Sequence, residues 1–585
     1  MASLESKSSR FQWEQSQPGV WERDIDECEE FYKLSTRKGD GCYPVTACAS
    51  FVTESSTATT GKEDSQLRID DALRKAWSML NYEHPTLRSR IERDDESGKW
   101  KRTYSTFPNE DEKKCWLDLT FKVVDVEGEV IEWFNNETAS FEISTLFLVG
   151  SKKEDEACRA IFLRCPHDIT DGVGILQLLD RLFALAALAY EQGDKYTLPV
   201  WDDEGTRLSP CLRLAAAVPE SFSEDQTNRF QDIQTRNGAI YNHPSLLGLP
   251  PSSIAATSQD KRQRVSLSVP KVTTERVLRG CKGLAPGVSV THVFMSALAL
   301  ALSELQPQKE ESYPVRYVNH SMMNLRPYCL EPYNTPKHAG APYHAVSAEA
   351  LGIDLDVPGS NEKNADQLKS LPQAAIKVRD FYKTIRPLSS TDEQVILAPL
   401  MFKALTPPPN SDPHAASDPP FCPVPLSSIG NVASMVAANH GPFELTNVWA
   451  ASEPIGAGVA VFLGTWDGQI ELSAVFDTRY HDAGYVKKFL DRILNCVYRG
   501  LGIDNEHTSA TQVAVCEDTD VKKRKRADTE TLDKVEGSSL QRPVKSPARS
   551  PLKERPELEN VQRQASKKLV ETGLDEQLEV RATAK

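Results

Sequence analysis

The sequence contains no Cys-x-x-Cys pair and no short Cys/His cluster with metal-ligand spacing, although it holds twelve cysteines. That spacing argues against a zinc site, so no metal is expected. Cys165 and Cys496 sit within apolar stretches, which points to buried, reduced thiols. No run of about 18 or more apolar residues occurs; even 178–190 is broken by Asp180 and Arg181, so no membrane-spanning segment is expected. Residues 1–11 lack the apolar stretch of a secretory signal. An excess of basic charge is missing as well: the formal net charge is -15, which argues against a nucleic-acid backbone as main partner. These absences lead to the expectation of a soluble, cytoplasmic protein with no nucleic-acid or membrane partner.

What is present is a chain of 585 residues, 39% hydrophobic and 26% charged, enough for two or more ordinary domains or for one two-lobed enzyme plus tails. The first forty residues are mostly polar, with Trp13, Trp21 and Phe31 as anchors for an arm docked on a body. Leu73, Ala76, Trp77 and Leu80 share one face of a helix over 69–82, stopped by Pro85. Residues 117–124 read as a strand, with Leu117, Leu119, Phe121 and Val123 alternating with polar residues. The apolar segments 143–149 and 160–165 flank a polar turn cluster and predict a β-hairpin ending before Pro166 and His167. From Gly172 the pattern turns helical, with Ile175, Leu178, Leu179, Leu182 and Leu185 on one stripe. His167 is thereby placed on a strand-to-helix turn, where the flanking elements can hold a reactive side chain rigid.

Residues 211–260 are rich in Ser, Pro, Asn and Gln and read as a linker between a first lobe over 1–210 and a second over 261–504. The second lobe is predicted to hold a strand at 265–269, a helix at 273–281, an alanine-rich buried helix at 290–305 and a strand at 314–319. Asp467-Gly468 supports a hairpin, and a last helix over 485–499 follows the 3.6 period, with Gly500 as its cap. Beyond 504 the roughly eighty residues are charged and free of Phe, Tyr and Trp. They cannot bury enough apolar surface to offset ordering entropy, so a disordered tail over 505–585 is expected. Its Lys522-Lys523-Arg524-Lys525-Arg526 run has the composition of a nuclear-localisation signal or of a solvated charge cluster.

The segment His167-Asp168-Ile169-Thr170-Asp171-Gly172 carries the chemistry. Histidine suits a general base that must take a proton from a hydroxyl near neutral pH. In His-x-x-x-Asp-Gly the aspartate can fix the turn by pairing with an arginine, and the glycine leaves room for substrate. The turn holds no Ser or Cys nucleophile, so direct transfer without a covalent acyl-enzyme is expected. Cys165 falls on the strand face of Ile161 and Leu163, which makes it core filler.

The pattern His167 to Gly172 resembles the HxxxDG motif of the CoA-dependent acyltransferase superfamily. That group holds chloramphenicol acetyltransferase-like enzymes, plant-type BAHD acyltransferases and condensation domains of peptide synthetases. His84-Pro85-Thr86-Leu87-Arg88-Ser89-Arg90 resembles its early hPxLR turn, residues 290–305 its alanine-rich helix, and Asn324-Leu325-Arg326-Pro327 the strand end that follows. Pro18-Gly19-Val20-Trp21-Glu22-Arg23 and Glu29-Glu30-Phe31-Tyr32 resemble fungal enzymes similar to trichothecene 15-O-acetyltransferase. The resemblance covers about 13–502.

It implies an α/β fold of two similar lobes with mixed sheets meeting at a central tunnel. Acyl-CoA would be a co-substrate with no bound cofactor, a small-molecule alcohol would be the acceptor, and a monomer would suffice. His167 becomes the general base and Asp171 the residue that orients the turn, with Arg326 as its partner and Gly172 beside it. Pro166 stands where condensation domains carry another histidine, and the DFGWG motif of plant enzymes is absent. Ser427-Ser428-Ile429-Gly430-Asn431 occupies a comparable place, making Ser427, Ser428 and Asn431 candidate oxyanion donors. Two alternatives stay open: a carrier-protein thioester donor or an amine acceptor on the same fold, and an inactive binding protein with a nuclear-targeted tail.

Overall fold

Strands that are apolar on both faces organise the first half of the chain. Thr145–Ser151 and Arg159–Pro166 are buried almost throughout, a pattern that demands cover on each side of the sheet. In the computed structural model that cover is a helical layer on one face and a second sheet on the other. The structure describes residues 9–503 apart from 37–42, 54–61, 96, 137–140, 153–157, 253–260, 361–366, 409–410, 416 and 418–419. The tail over 505–585, with its basic run at 522–526, lies outside the described residues.

The first sheet has six strands in the order Asn439–His440, Phe443–Ser452, Pro44–Thr53, Arg159–Pro166, Thr145–Ser151, Phe121–Val126. Only the last pair is parallel, so the sheet is mixed. Helix Lys62–Glu83 lays Leu73, Ala76, Trp77 and Leu80 on this sheet beside Ile175, Leu179, Leu182 and Phe183 of helix Gly172–Gln192. Burying each large side chain of that layer contributes about 1.5–3 kcal/mol, which anchors the helix that begins at the His167 turn. By length and composition the helical stretch Gly172–Lys195 could cross a membrane, but its apolar stripe is buried in this core.

The second sheet runs Leu426–Asn431, Val459–Trp466, Gln469–Asp477, Arg262–Val269. Its hairpin turns at Asp467-Gly468, with φ of 45° and 72°, the left-handed pair that matches strand twist. Helices Lys271–Leu284, Val290–Ser303, Gln367–Ile385 and Ala483–Leu501 cover its outer face, and every residue from His292 to Ser303 is buried. The two sheets meet face to face, Phe147, Phe162 and Trp449 against Ala460, Phe462 and Val475. A partly open pocket with about 310 Å³ of empty space, solvent included, sits on this seam among Ile429, Val448, Trp449, Phe462 and Trp466.

Several expectations are corrected. Residues 117–124 are not one strand: helix Glu110–Thr120 occupies the first half, and the strand starts at Phe121. The Asn109 side chain caps the Glu112 N–H at 2.9 Å and three acidic residues fill the first turn, local signals that override a short alternation. Within 211–260 the structure adds a helix that composition did not announce, Glu224–Tyr241, started by a Ser223/Gln226 capping box and held by Asn237 Nδ2 donating to the Ala348 carbonyl at 2.8 Å. The last helix is capped by Gly502, at φ 64°, not by Gly500. A Cβ at Gly500 would overlap the Leu371 side chain, so that glycine serves helix packing. Strand Phe443–Ser452 completes the first sheet although it comes from the second half of the chain.

Candidate active site

The turn after strand Arg159–Pro166 is fastened at both ends. The His167 N–H donates to the Tyr43 carbonyl at 2.6 Å, and Ile169 N–H to the Pro166 carbonyl at 3.0 Å. Asp171 then caps helix Gly172–Gln192: its Oδ1 accepts from Val173 N–H at 3.0 Å and Gly174 N–H at 2.9 Å. The same carboxylate takes the Arg326 Nη1 on both oxygens at 2.6 Å, with the two side chains 5% and 4% exposed. Arg326 also donates to the Ala341 carbonyl at 2.7 Å, so one buried guanidinium ties the turn to the segment that follows strand Met322–Asn324. Burial opposes ionisation of Asp171, but Arg326 beside it outweighs that and holds the carboxyl far below its usual range.

His167 is 8% exposed, and its Nδ1 has no hydrogen-bond partner among the described residues. Burial, reinforced by the neighbouring His344, pushes its pKa down to about 3, so the imidazole is neutral at pH 7. A neutral buried imidazole can accept a proton, which is the state a base needs. Tyr32 lies flat against it, with centroids 4.1 Å apart and planes within 6°. Tyr32 comes from helix Glu27–Leu34 in the N-terminal arm, and its hydroxyl sits 2.7 Å from His344 Nε2.

Asp168, inside the motif, receives Arg102: Nη2 donates to its Oδ2 at 2.7 Å and to its carbonyl at 2.8 Å. Arg102 is fully buried and also reaches Glu29 at 2.8 Å and Ser89 at 3.0 Å; Glu29 in turn pairs with Arg23 at 2.6 Å. Burial opposes ionisation of Glu29, but Arg102 and then Arg23 bring its pKa down to about 2. The arm is thus locked onto the turn through alternating buried charges.

The structure brings together His167, Asp171 and Arg326 as one cluster. At Gly172 a Cβ would meet Ile429 Cδ1 at 3.4 Å, ordinary contact; the tight position is Gly174. There a Cβ would lie 2.5 Å from the Ala339 carbonyl and the Arg326 guanidinium, and closer still to Thr170 Oγ1. Strand Leu426–Asn431 passes the turn through Ile429. Ser428 points the other way and shares a hydrogen bond of 2.8 Å with Thr291; Ser427 is half-buried and Asn431 is exposed at the strand end. Cys165 lies in the core with Ile161 and Leu163, and burial lifts its thiol to about 12. Among the described residues, no group of three His, Cys, Asp or Glu side chains is placed to hold a metal ion.

Sequence reasoning missed Tyr32, His344, Arg102 and Gly174. Tyr32 lay within a segment matched only by resemblance, and His344 carries no local pattern. Gly174, repeating glycine two residues after Gly172 at a helix start, was the one readable signal.

No family model matches the chain. Acetyltransferase pigO of Monascus ruber is 23% identical over 514 residues, 84% of this chain and 99% of the relative. O-acetyltransferase pigM of the same organism is 24% identical over 530 residues, 84% of this chain and 88% of the relative. Among solved structures, trichothecene 15-O-acetyltransferase from Fusarium sporotrichioides superposes with a TM-score of 0.67 at 13% identity, covering 84% of this chain and 98% of that one. The first condensation domain of the calcium-dependent antibiotic synthetase follows at 0.52 and 12%, covering 82% and 96%. These likenesses run most of the length of this chain and of the proteins it matches, and the chain is accordingly a transferase enzyme of the chloramphenicol acetyltransferase-like fold, similar to the CoA-dependent acyltransferases.

Proposed function

We propose that this chain is an O-acyltransferase that moves an acyl group, acetyl in the simplest case, from acyl-CoA to a hydroxyl of a secondary metabolite such as a terpenoid. The observation that carries the reading is the neutral, buried His167 imidazole on a turn held by the Asp171–Arg326 pair. His167 takes the proton from the acceptor hydroxyl as the oxygen attacks the thioester carbonyl. The carbon–oxygen bond forms, the tetrahedral oxyanion collapses, the carbon–sulfur bond breaks, and the histidine returns its proton to the departing thiolate. Burial makes imidazolium costly before substrate binds, so it is stabilised chiefly while the oxyanion is beside it. That selective stabilisation favours the transition state over the ground state. Asp171 and Arg326 hold the turn, and Ser427, half-buried on the strand that passes it, is the better-sited of the candidate oxyanion donors.

A second reading keeps the fold and changes the partners, to a carrier-protein thioester or an amine acceptor. The condensation-domain likeness favours it, whereas Pro166, paired with Pro44 in the sheet ladder, argues against it because it fills the place of the extra histidine. The test is free-thiol release from acetyl-CoA with a panel of polyhydroxylated terpenoids, products read by mass spectrometry. Wild type is expected to give an ester product and His167→Ala to lose at least about a hundredfold in rate. Wild-type turnover by His167→Ala would overturn the reading.

A further inference from the structure

The ring that packs on His167 comes from the N-terminal arm, far away in sequence and outside the histidine motif. Tyr32 stacks at 4.1 Å with its plane 6° from that of the imidazole. Three contacts fix it there. Its hydroxyl is 2.7 Å from His344 Nε2, Phe402 packs beside it with centroids 6.4 Å away, and Tyr43 lies at 5.7 Å. On the far side of the His344 ring, Nδ1 faces Asp171 Oδ2 at 3.8 Å and has no hydrogen-bond partner among the described residues. A carboxylate on that side favours the tautomer with its proton on Nδ1. Nε2 is then an acceptor, and the Tyr32 hydroxyl donates to it. Burial keeps the phenol protonated, raising its pKa well above the ordinary value, so the donor is always available. Asp171 therefore reaches His167 by two routes: along the turn it caps, and through His344 and Tyr32.

We propose that Tyr32 is a positioning residue for His167, held in place by a chain running Asp171–His344–Tyr32. The proposal rests on His167 acting as the base. A stacked ring does two things for such a base. It stops the imidazole from rotating about its side-chain bonds, which keeps Nε2 or Nδ1 aimed at one point in space. Its negative face also favours the imidazolium that exists only during transfer. A hydroxyl that donates to His344 leaves more electron density on the ring, so the second effect depends on the first link of the chain. Both effects act on the transition state and not on substrate affinity, so they appear in kcat and leave KM nearly unchanged. The N-terminal arm then becomes part of the active site, which gives the buried Arg23–Glu29–Arg102–Asp168 network a purpose: it holds the helix that carries Tyr32 against the turn that carries His167.

The test uses the full chain with acetyl-CoA and a polyhydroxylated sesquiterpenoid alcohol that wild type accepts. Tyr32→Phe keeps the stack and loses the hydroxyl, and kcat is expected to fall about three- to tenfold with KM within about twofold. His344→Gln should have the same effect, and the Tyr32→Phe/His344→Gln double variant should be no slower than either single variant, because both cut one chain. Tyr32→Leu removes the stack as well and should lose about thirtyfold or more in kcat, so phenylalanine restores part of what leucine loses. Multiplying effects in the double variant, or a loss confined to KM or thermal stability, would overturn the proposal. So would a folded Tyr32→Leu with wild-type kcat; should that variant not fold, the Phe/Gln pair still decides. If His167→Ala abolishes transfer while the Tyr32 variants run like wild type, this inference alone falls. If His167→Ala itself runs like wild type, the acyltransferase reading falls with it.

Discussion

Replacing Asp171 by asparagine isolates the charge in the clamp. Asparagine keeps a side-chain oxygen for the Val173 and Gly174 N–H groups and is as good an N-cap as aspartate, so helix Gly172–Gln192 still starts where it does. What is lost is the negative partner of Arg326, whose side chain is 4% exposed. A guanidinium left buried without its partner costs about 3–5 kcal/mol, against a total folding stability of about 5–15 kcal/mol for an ordinary domain. For a lobe of about 150–250 residues each kcal/mol lowers Tm by about 2–4 °C, so Asp171→Asn should melt about 6–20 °C below wild type. Asp171→Ala should lose about 1 kcal/mol beyond that, the cap's own share. Arg326→Met in the Asp171→Asn background removes the orphan charge, and the double variant should recover about 2–4 kcal/mol relative to the sum of the singles. Urea unfolding followed by tryptophan fluorescence, with acyl transfer measured well below each Tm, reads wild type, Asp171→Asn, Asp171→Ala, Arg326→Met and the double variant. The reasoning is refuted if Asp171→Asn costs less than about 1 kcal/mol, or if the single costs simply add.

Two further outcomes follow from the same geometry. Gly174→Ala should destabilise by about 2 kcal/mol or more, since its methyl would overlap the Ala339 carbonyl and Arg326, whereas Gly172→Ala should change stability by less than about 1 kcal/mol; thermal melts of the pair decide. Burial lowers the pKa of His167 to about 3 and of His84 and His481 to about 4, all below the ordinary value near 6.5 in the unfolded chain. From about pH 6.5 down to 4 the unfolded chain therefore binds protons that these folded residues do not, so their contribution to stability rises with pH and is lost as pH falls. His167→Gln should lower the proton uptake on unfolding at pH 5 by about one, measured from the pH dependence of the unfolding free energy. An unchanged slope would contradict the burial of a neutral imidazole.

Local patterns were enough to place His167. Two short apolar segments flanking a polar turn cluster, the second ending before Pro166, and a 3.6-period stripe from Ile175 put it on a strand-to-helix turn, and the structure has that turn. The hairpin at Asp467-Gly468 and the buried helix Val290–Ser303 were equally legible, because turn chemistry and unbroken apolar composition are properties of neighbouring residues. Where competing local signals were close in strength, the reading failed. Residues 117–120 alternate like a strand but lie in a helix capped by Asn109, and the helix Glu224–Tyr241 hid in a polar stretch because only Ile233 and Asn237 of its length are buried.

By itself the sequence determined the elements on either side of the histidine and the residue types a base and its clamp require, since periodicity and capping act over a few residues. The tertiary structure decided which distant residues meet there. Arg326 lies 155 residues from Asp171, His344 lies 312 from Tyr32, and strand Phe443–Ser452 returns from the second half of the chain to complete the first sheet. No local preference encodes such meetings. They follow from the burial of two-faced apolar strands, which forces a second sheet onto the first and carries the arm, the clamp and His344 in around His167.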